Sequence, residues 1–260
     1  MKQSGYSKSE LARLVRNHIE EETNFHGNEL ILEKEPMPKK AVKNADPDRT
    51  PSIKSEKASS RGDELIEFRK VICGCRKCPL GKSKLNFVFG VGNPNAELMF
   101  VGEGPGFDED HKGEPFIGRA GQQLNKIIEA MGLKREDVYI ANTVKCHPMI
   151  DPSDPEKRGN DRAPLPEEIQ TCLPYLEKQI ELINPKVICA LGTHAAKTLS
   201  GLETTIGKLR GTFLDRNGTK LMPTYHPAAL LRNPALKKDV WEDMKQIMAV
   251  LGLQRPSSPK

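Results

Sequence analysis

The chain has 260 residues, with 40 Lys and Arg against 35 Asp and Glu for a net charge of +5, and 37% apolar residues. Its 20 prolines and mean hydropathy of −0.56 suit one domain with polar tails, and no apolar run approaches the roughly 18 residues of a membrane span. The first 30 residues, with Glu20, Glu21 and Glu22, lack the apolar stretch of a signal peptide, so a soluble chain in the cytoplasm is expected.

Residues 7–22 place Leu11, Leu14, Val15 and Ile19 on one helical face, with Ser7 or Ser9 able to cap the start. Residues 33–60, with four prolines and repeated Ser and Lys, read as a disordered linker, which leaves 1–62 as an N-terminal extension. The globular domain is expected over 63–253, followed by a free tail at 254–260. Inside it, apolar runs that read as buried strands, LMFVG from Leu98, VYIANTV from Val138 and VICALG from Val187, alternate with helical patterns at 64–74, 120–131, 166–183, 193–200 and 238–251. A shorter strand, KLMPT, ends at Thr224. This alternation predicts an α/β fold with a largely parallel sheet, in which ligands gather beyond the carboxyl ends of the strands. Three loops fall there: GEGPGFDEDHKGEPFIGRAG from Gly102, NTVKCHP from Asn142 and YHPAALLR from Tyr225.

Six cysteines punctuate the chain, and in a reducing compartment thiols are ligands or buried hydrophobes sooner than disulfides. Cys75 and Cys78 form C-x-x-C, the spacing that lets two thiolates converge on one centre, while Cys146 and Cys172 stand alone. Four thiolates suffice for zinc or for an iron-sulfur cluster; one pair plus two isolated cysteines suits a cubane-type cluster better, and zinc stays open. Cys189, inside an apolar run, reads as core, and Cys73 is left out of the set.

The G-E-G-P-G turn lacks the Lys-Ser/Thr of a phosphate loop and the spacing of a dinucleotide fold, and Glu103, Asp108, Glu109 and Asp110 would repel phosphate. The calcium-loop ladder is missing too. What remains is a loop whose glycines allow close backbone approach and whose carboxylates can polarise a water. Phe116 could offer a flat face to a planar ligand. The amide of Asn142 can present a donor and an acceptor to a ligand edge, and His226, stiffened by Pro227, can donate to a developing anion. Residues 208–238 carry Lys208, Arg210, Arg216, Lys220, Arg232, Lys237 and Lys238 against the single acid Asp215, the pattern of a polyanion-facing surface.

In this order, C-R-K-C-P-L, G-E-G-P-G with E-D-x-x-G-x-P-F-x-G-x-A-G, N-T-V-K-C and Y-H-P-A-A-L-L-R-N-P resemble the family 4 uracil-DNA glycosylases, over about Cys75 to Leu251. The resemblance implies a three-layer α/β/α fold with a central four-stranded parallel sheet. It implies one structural 4Fe-4S cluster on Cys75, Cys78, Cys146 and Cys172, and excision of uracil from single- or double-stranded DNA by a monofunctional enzyme of base excision repair, associated with the nucleoid. Such chemistry needs the base extruded from the duplex. Phe116 is then expected to stack on uracil, Asn142 to read its O4 and N3 edge, and backbone N–H groups around Gly104 to hold a uracil oxygen. Glu103 is expected to handle the water, with Glu109 as the other candidate, and His226 to assist the leaving base. Leu230 is expected as the wedge, with Leu231 or Arg232 as substitutes, and Arg232, Lys208 and Arg210 to meet the DNA backbone. The 147–166 connection is longer than the family pattern and could alter DNA contacts; its only histidine is His147, directly after Cys146, which argues against covalent trapping. A monomer is expected, with the helix at 7–22 free to dock a replication or repair protein. The alternative is a noncatalytic DNA- or uracil-binding module like the glycosylase-like segments attached to some phage polymerases.

Overall fold

Residues 60–254 are described by the computed structural model of the chain. The helix expected at 7–22, the linker up to Ser60 and the tail after Gln254 lie outside them. Ser60 caps α1 (Arg61–Ile72) through a reciprocal pair of hydrogen bonds with Asp63, which starts the helix three residues ahead of the expected one. A short α2 (Leu80–Ser83) follows the C-x-x-C turn. Then come β1 (Val91–Gly92), β2 (Leu98–Gly102), α3 (Phe107–Lys112), α4 (Arg119–Ala130), a single 3-10 turn and β3 (Tyr139–Asn142). The second half runs α5 (Pro166–Ile183), β4 (Val187–Leu191), α6 (Thr193–Ser200), α7 (Ile206–Leu209), β5 (Leu214–Arg216), β6 (Thr219–Thr224), α8 (Pro227–Arg232) and α9 (Leu236–Leu251).

The sheet has strand order β1-β3-β2-β4-β6-β5. Its four central strands are parallel, as expected, and β1 and β5 add an antiparallel strand at each edge. β2, β3 and β4 are buried at every position, the mark of strands covered on both faces. The two-residue alternation of side chains separates those faces. Met99, Val101, Ile188 and Ala190 pack with Leu65 of α1, Leu176 and Ile180 of α5 and Leu199 of α6. Leu98, Phe100, Val187 and Cys189 pack with Leu124 and Ile128 of α4 and Met244 and Ile247 of α9. The result is three layers, α/β/α. No helix among the described residues is long and apolar enough to cross a membrane.

Candidate active site

All four parallel strands end on one edge, and register decides which loops meet there. Gly102 at the end of β2 lies opposite Asn142 at the end of β3, and Leu191 of β4 lies opposite Thr224 of β6. Beyond the strands, the Gly192 N–H donates to the Thr224 carbonyl at 2.9 Å and the Val144 N–H to the Glu103 carbonyl at 3.2 Å. The Thr143 hydroxyl also donates to the Glu103 carbonyl.

Gly102 is where the side chains of Phe116 and Asn142 converge. A Cβ there would come within 2.5 Å of both Asn142 Oδ1 and Phe116 Cζ, so only glycine lets the ring and the amide converge over the strand end. Phe116 has φ of +53°, a costly backbone position for a bulky residue. Glu109 holds it: one carboxylate oxygen accepts from the Ile117 and Gly118 N–H groups, both at 3.0 Å, and the other accepts from Gly106 N–H at 3.2 Å. Both oxygens of Glu109, the other carboxylate expected as a candidate for the water, are thus engaged in shaping the loop. On the other side of Phe116, a Cβ at Gly121 would fall 1.8 Å from the Phe116 carbonyl oxygen, so α4 packs directly on that backbone. Gly104 sits against Val144, whose Cγ2 would be 2.9 Å from an added Cβ, and so keeps the loop close to the chain that follows β3.

Asn142 is 1% exposed, and its Oδ1 is buried without a hydrogen-bond partner. Such an atom costs about 1–3 kcal/mol unless a ligand supplies the donor. His226 caps α8, its Nδ1 accepting from the Ala228 N–H at 3.2 Å. In the neutral ring the proton then sits on Nε2. Burial, reinforced by Arg232, pulls the imidazole down to about 4, so it is a neutral donor across the ordinary pH range. Its ring centroid lies 5.6 Å from that of Phe116.

Glu103 is half-buried. Burial raises its carboxyl above the ordinary value, and His194, whose Nε2 is 4.0 Å from Glu103 Oε1, pulls it back. Sequence reasoning passed over His194; the available signal was its position one residue into the helix after β4, on the same edge as the other strand ends.

The expected DNA-facing residues divide. Leu230, the residue expected as the wedge, is 1% exposed and packed in the core, so it could enter a base stack only by leaving the fold; its neighbour Leu231 is exposed. Leu231 and Arg232 line a cleft of about 340 Å³ with Ala228, Ala120 and Arg119, the last also missed by sequence reasoning. Lys208 is exposed. Arg210 is not a free cation: it reaches the two oxygens of the fully buried Asp243 at 2.7 and 3.1 Å and stacks at 5.4 Å over Tyr225. Its expected DNA contact is corrected to a structural one.

The long 147–166 connection folds back as a brace. Met149 bridges to Asp161, His147 Nε2 meets Asp161 Oδ1 at 2.7 Å, Arg158 pairs with Asp108 at 3.2 Å and Glu156 with His111 at 3.0 Å. The first two contacts fold the connection on itself, and the last two tie it to α3, the helix that carries Glu109.

Behind the pocket, Cys146 and Cys172 are buried in the same apolar cluster against which Cys75 and Cys78 pack. Burial pushes the Cys146 and Cys172 thiols up, Cys172 to about 11, and the other cysteines of the set push the same way, opposed by Lys84 at Cys146 and by Lys145 at Cys172. Two sulfurs receive donors: the Tyr175 hydroxyl reaches Cys75 Sγ and the Lys145 N–H reaches Cys172 Sγ, each at 3.3 Å. Lys84 Nζ donates to the Cys75 and Gly81 carbonyls at 2.7 and 2.9 Å, bracing the C-x-x-C turn. The donor set is all thiol and pre-supplied with hydrogen bonds to sulfur, which fits an iron-sulfur cluster. Among the described residues, no three His, Cys, Asp or Glu are drawn in to single-ion distances. Cys73 is exposed, its thiol donating to the Lys70 carbonyl at 3.5 Å, and Cys189 is buried in β4.

The model of the uracil DNA glycosylase superfamily matches residues 89–245. The type-4 uracil-DNA glycosylase of Archaeoglobus fulgidus is 44% identical over 203 residues, covering 75% of this chain and 97% of that protein. That of Saccharolobus solfataricus is 45% identical over 198 residues, covering 73% of this chain and 87% of that protein. A DNA polymerase of Bacillus phage SP01 is 30% identical over 171 residues, 65% of this chain but 17% of the polymerase. The strand-end pocket, the four grouped thiols and these matches over most of the folded part agree, and the chain belongs to the uracil DNA glycosylase superfamily, in its type-4 branch.

Proposed function

We propose that this protein removes uracil from DNA by hydrolysing the bond between the base and the deoxyribose, leaving an abasic site for repair. The observation that carries this reading is the unpartnered Oδ1 of Asn142, buried beside the Phe116 ring. A uracil turned out of the DNA would stack on Phe116 and offer its N3–H to that oxygen, while the Asn142 amide N–H donates to O4. Cytosine has no N3–H and carries an amino group where uracil has O4, so both contacts would oppose it.

In the reaction the C1′–N1 bond breaks and its electron pair leaves with the base, spreading onto O2. The neutral His226 Nε2–H is suited to donate a hydrogen bond to that oxygen. Glu103 opposes the positive charge growing on the sugar and takes the proton of the water whose hydroxyl adds to C1′. Leu231 fills the gap left in the stack, with Arg119, Arg232 and Lys208 toward the phosphates. Cys75, Cys78, Cys146 and Cys172 would hold one 4Fe-4S cluster, which supplies cross-linking of the loop scaffold and no electrons to the reaction.

A uracil-containing oligonucleotide treated with the purified protein should become alkali-labile, and Glu103→Ala and Asn142→Ala should each suppress this strongly. Binding without lability, unchanged by Glu103→Ala, would instead favour a noncatalytic binding module. The helix expected at 7–22 is proposed as the docking element for a replication or repair protein, and a pull-down comparing the full chain with one lacking residues 1–59 tests it.

A further inference from the structure

Lys145 is 0% exposed, an uncommon place for a lysine, and nothing in the proposed chemistry uses it. Its ammonium has two acceptors, the Asn142 carbonyl oxygen at 2.9 Å and Gln179 Oε1 at 2.6 Å. Gln179, itself fully buried, is fixed by donating to the Phe89 carbonyl at 2.9 Å and the Tyr139 hydroxyl at 3.2 Å. The backbone N–H of the same lysine reaches Cys172 Sγ, and the next residue is Cys146. One residue therefore touches both the base-reading strand end and the thiol group.

We infer that Lys145 is a positioning residue that ties the thiol-bound cluster to the uracil reader, its buried ammonium balancing the negative charge of the thiolates while fixing the backbone of Asn142. The inference rests on the functional reading above. A buried charge is tolerated only where it is paired, and the charges that act on this ammonium are those of Cys172 and Cys146. Loss of the ammonium would leave the Asn142 carbonyl and Gln179 Oε1 without their buried donor, and the amide of Asn142 would no longer be held at hydrogen-bond precision.

The test uses the full chain, loaded as purified, and reads single-turnover uracil release together with the midpoint potential of the iron-sulfur chromophore. Lys145→Met should slow release about tenfold and shift the midpoint negative, because a positive charge beside the cluster is gone. Combined with Asn142→Ala it should add little to the loss from Asn142→Ala alone, since it acts through that residue. Gln179→Leu keeps the charge but frees the ammonium; it should slow release severalfold with the midpoint unchanged, and it carries the test if Lys145→Met does not fold. Unchanged release in either folded variant, multiplicative losses with Asn142→Ala, or an unmoved midpoint in folded Lys145→Met would overturn the inference. A wild-type protein with no uracil release would instead sink the functional reading on which it rests.

Discussion

His194 Nε2 stands 4.0 Å from Glu103 Oε1 across the gap between the β4 and β2 strand ends, the nearest cation-forming group to the carboxylate proposed to meet water. Burial raises the Glu103 carboxyl and His194 lowers it, so activity should fall as pH drops through the Glu103 value. His194→Ala removes the lowering influence, and the acid limb of the pH–rate profile should move to higher pH while the alkaline side keeps its shape. Half-exposed His194 carries little packing, so the melting temperature should hardly change. A profile superimposable on wild type would exclude any coupling. Glu103→Gln should cost about 10²–10⁴-fold above the Glu103 value and progressively less below it, where the wild-type carboxyl is itself protonated.

Asn142 pits function against stability. Asn142→Ala should reduce uracil release by roughly 10–100-fold, yet removing an orphaned oxygen spares a cost of about 1–3 kcal/mol. Denaturant melts should therefore show the variant as stable as wild type or more so. A clear loss of stability would mean that the oxygen has a partner in the free protein.

Gly102→Ala asks whether the pocket needs the close approach seen there. A Cβ would meet Asn142 Oδ1 and Phe116 Cζ at 2.5 Å, so the ring must move. Uracil release should collapse while binding to undamaged DNA, measured by fluorescence anisotropy, stays near wild type.

Leu230 and Leu231 should separate cleanly. Leu230→Ala empties a core position and should cost about 2–5 kcal/mol of stability. Leu231→Ala should leave stability within about 0.5 kcal/mol but slow release from duplex more than from single strands, where nothing must be pried out of a stack. Equal slowing on both substrates would rule out a wedge.

Arg210→Ala strands the buried carboxylate of Asp243, whose pKa burial already raises. Breaking such a pair typically costs about 3–5 kcal/mol. Urea melts should show that loss, and DNA affinity measured below the transition should be nearly unchanged.

The central sheet was legible because its strands are largely apolar runs of four to six residues bounded by turns, and the helices 166–183 and 193–200 begin and end where their patterns do. The edge strands β1 and β5, two and three residues long, are too short to print a period on the chain. Charge is where composition misleads. Glu109 and Arg210 look like chemistry in a string of letters, but whether a charged group faces a ligand or a buried partner depends on contacts far apart along the chain. The same holds within α8, where a six-residue helix is too short for periodicity to tell Leu230 from Leu231. His194 went unseen because one histidine in a helical pattern carries no signal until the strand ends are brought level.

The unpaired oxygen of Asn142 also bears on what happens after the bond is cut. Free uracil can still satisfy it, so the product should linger, raise the melting temperature in proportion to its concentration, and compete with the next damaged site. An enzyme that recognises its target by one unmet hydrogen bond should find that turnover is governed by how readily it lets go.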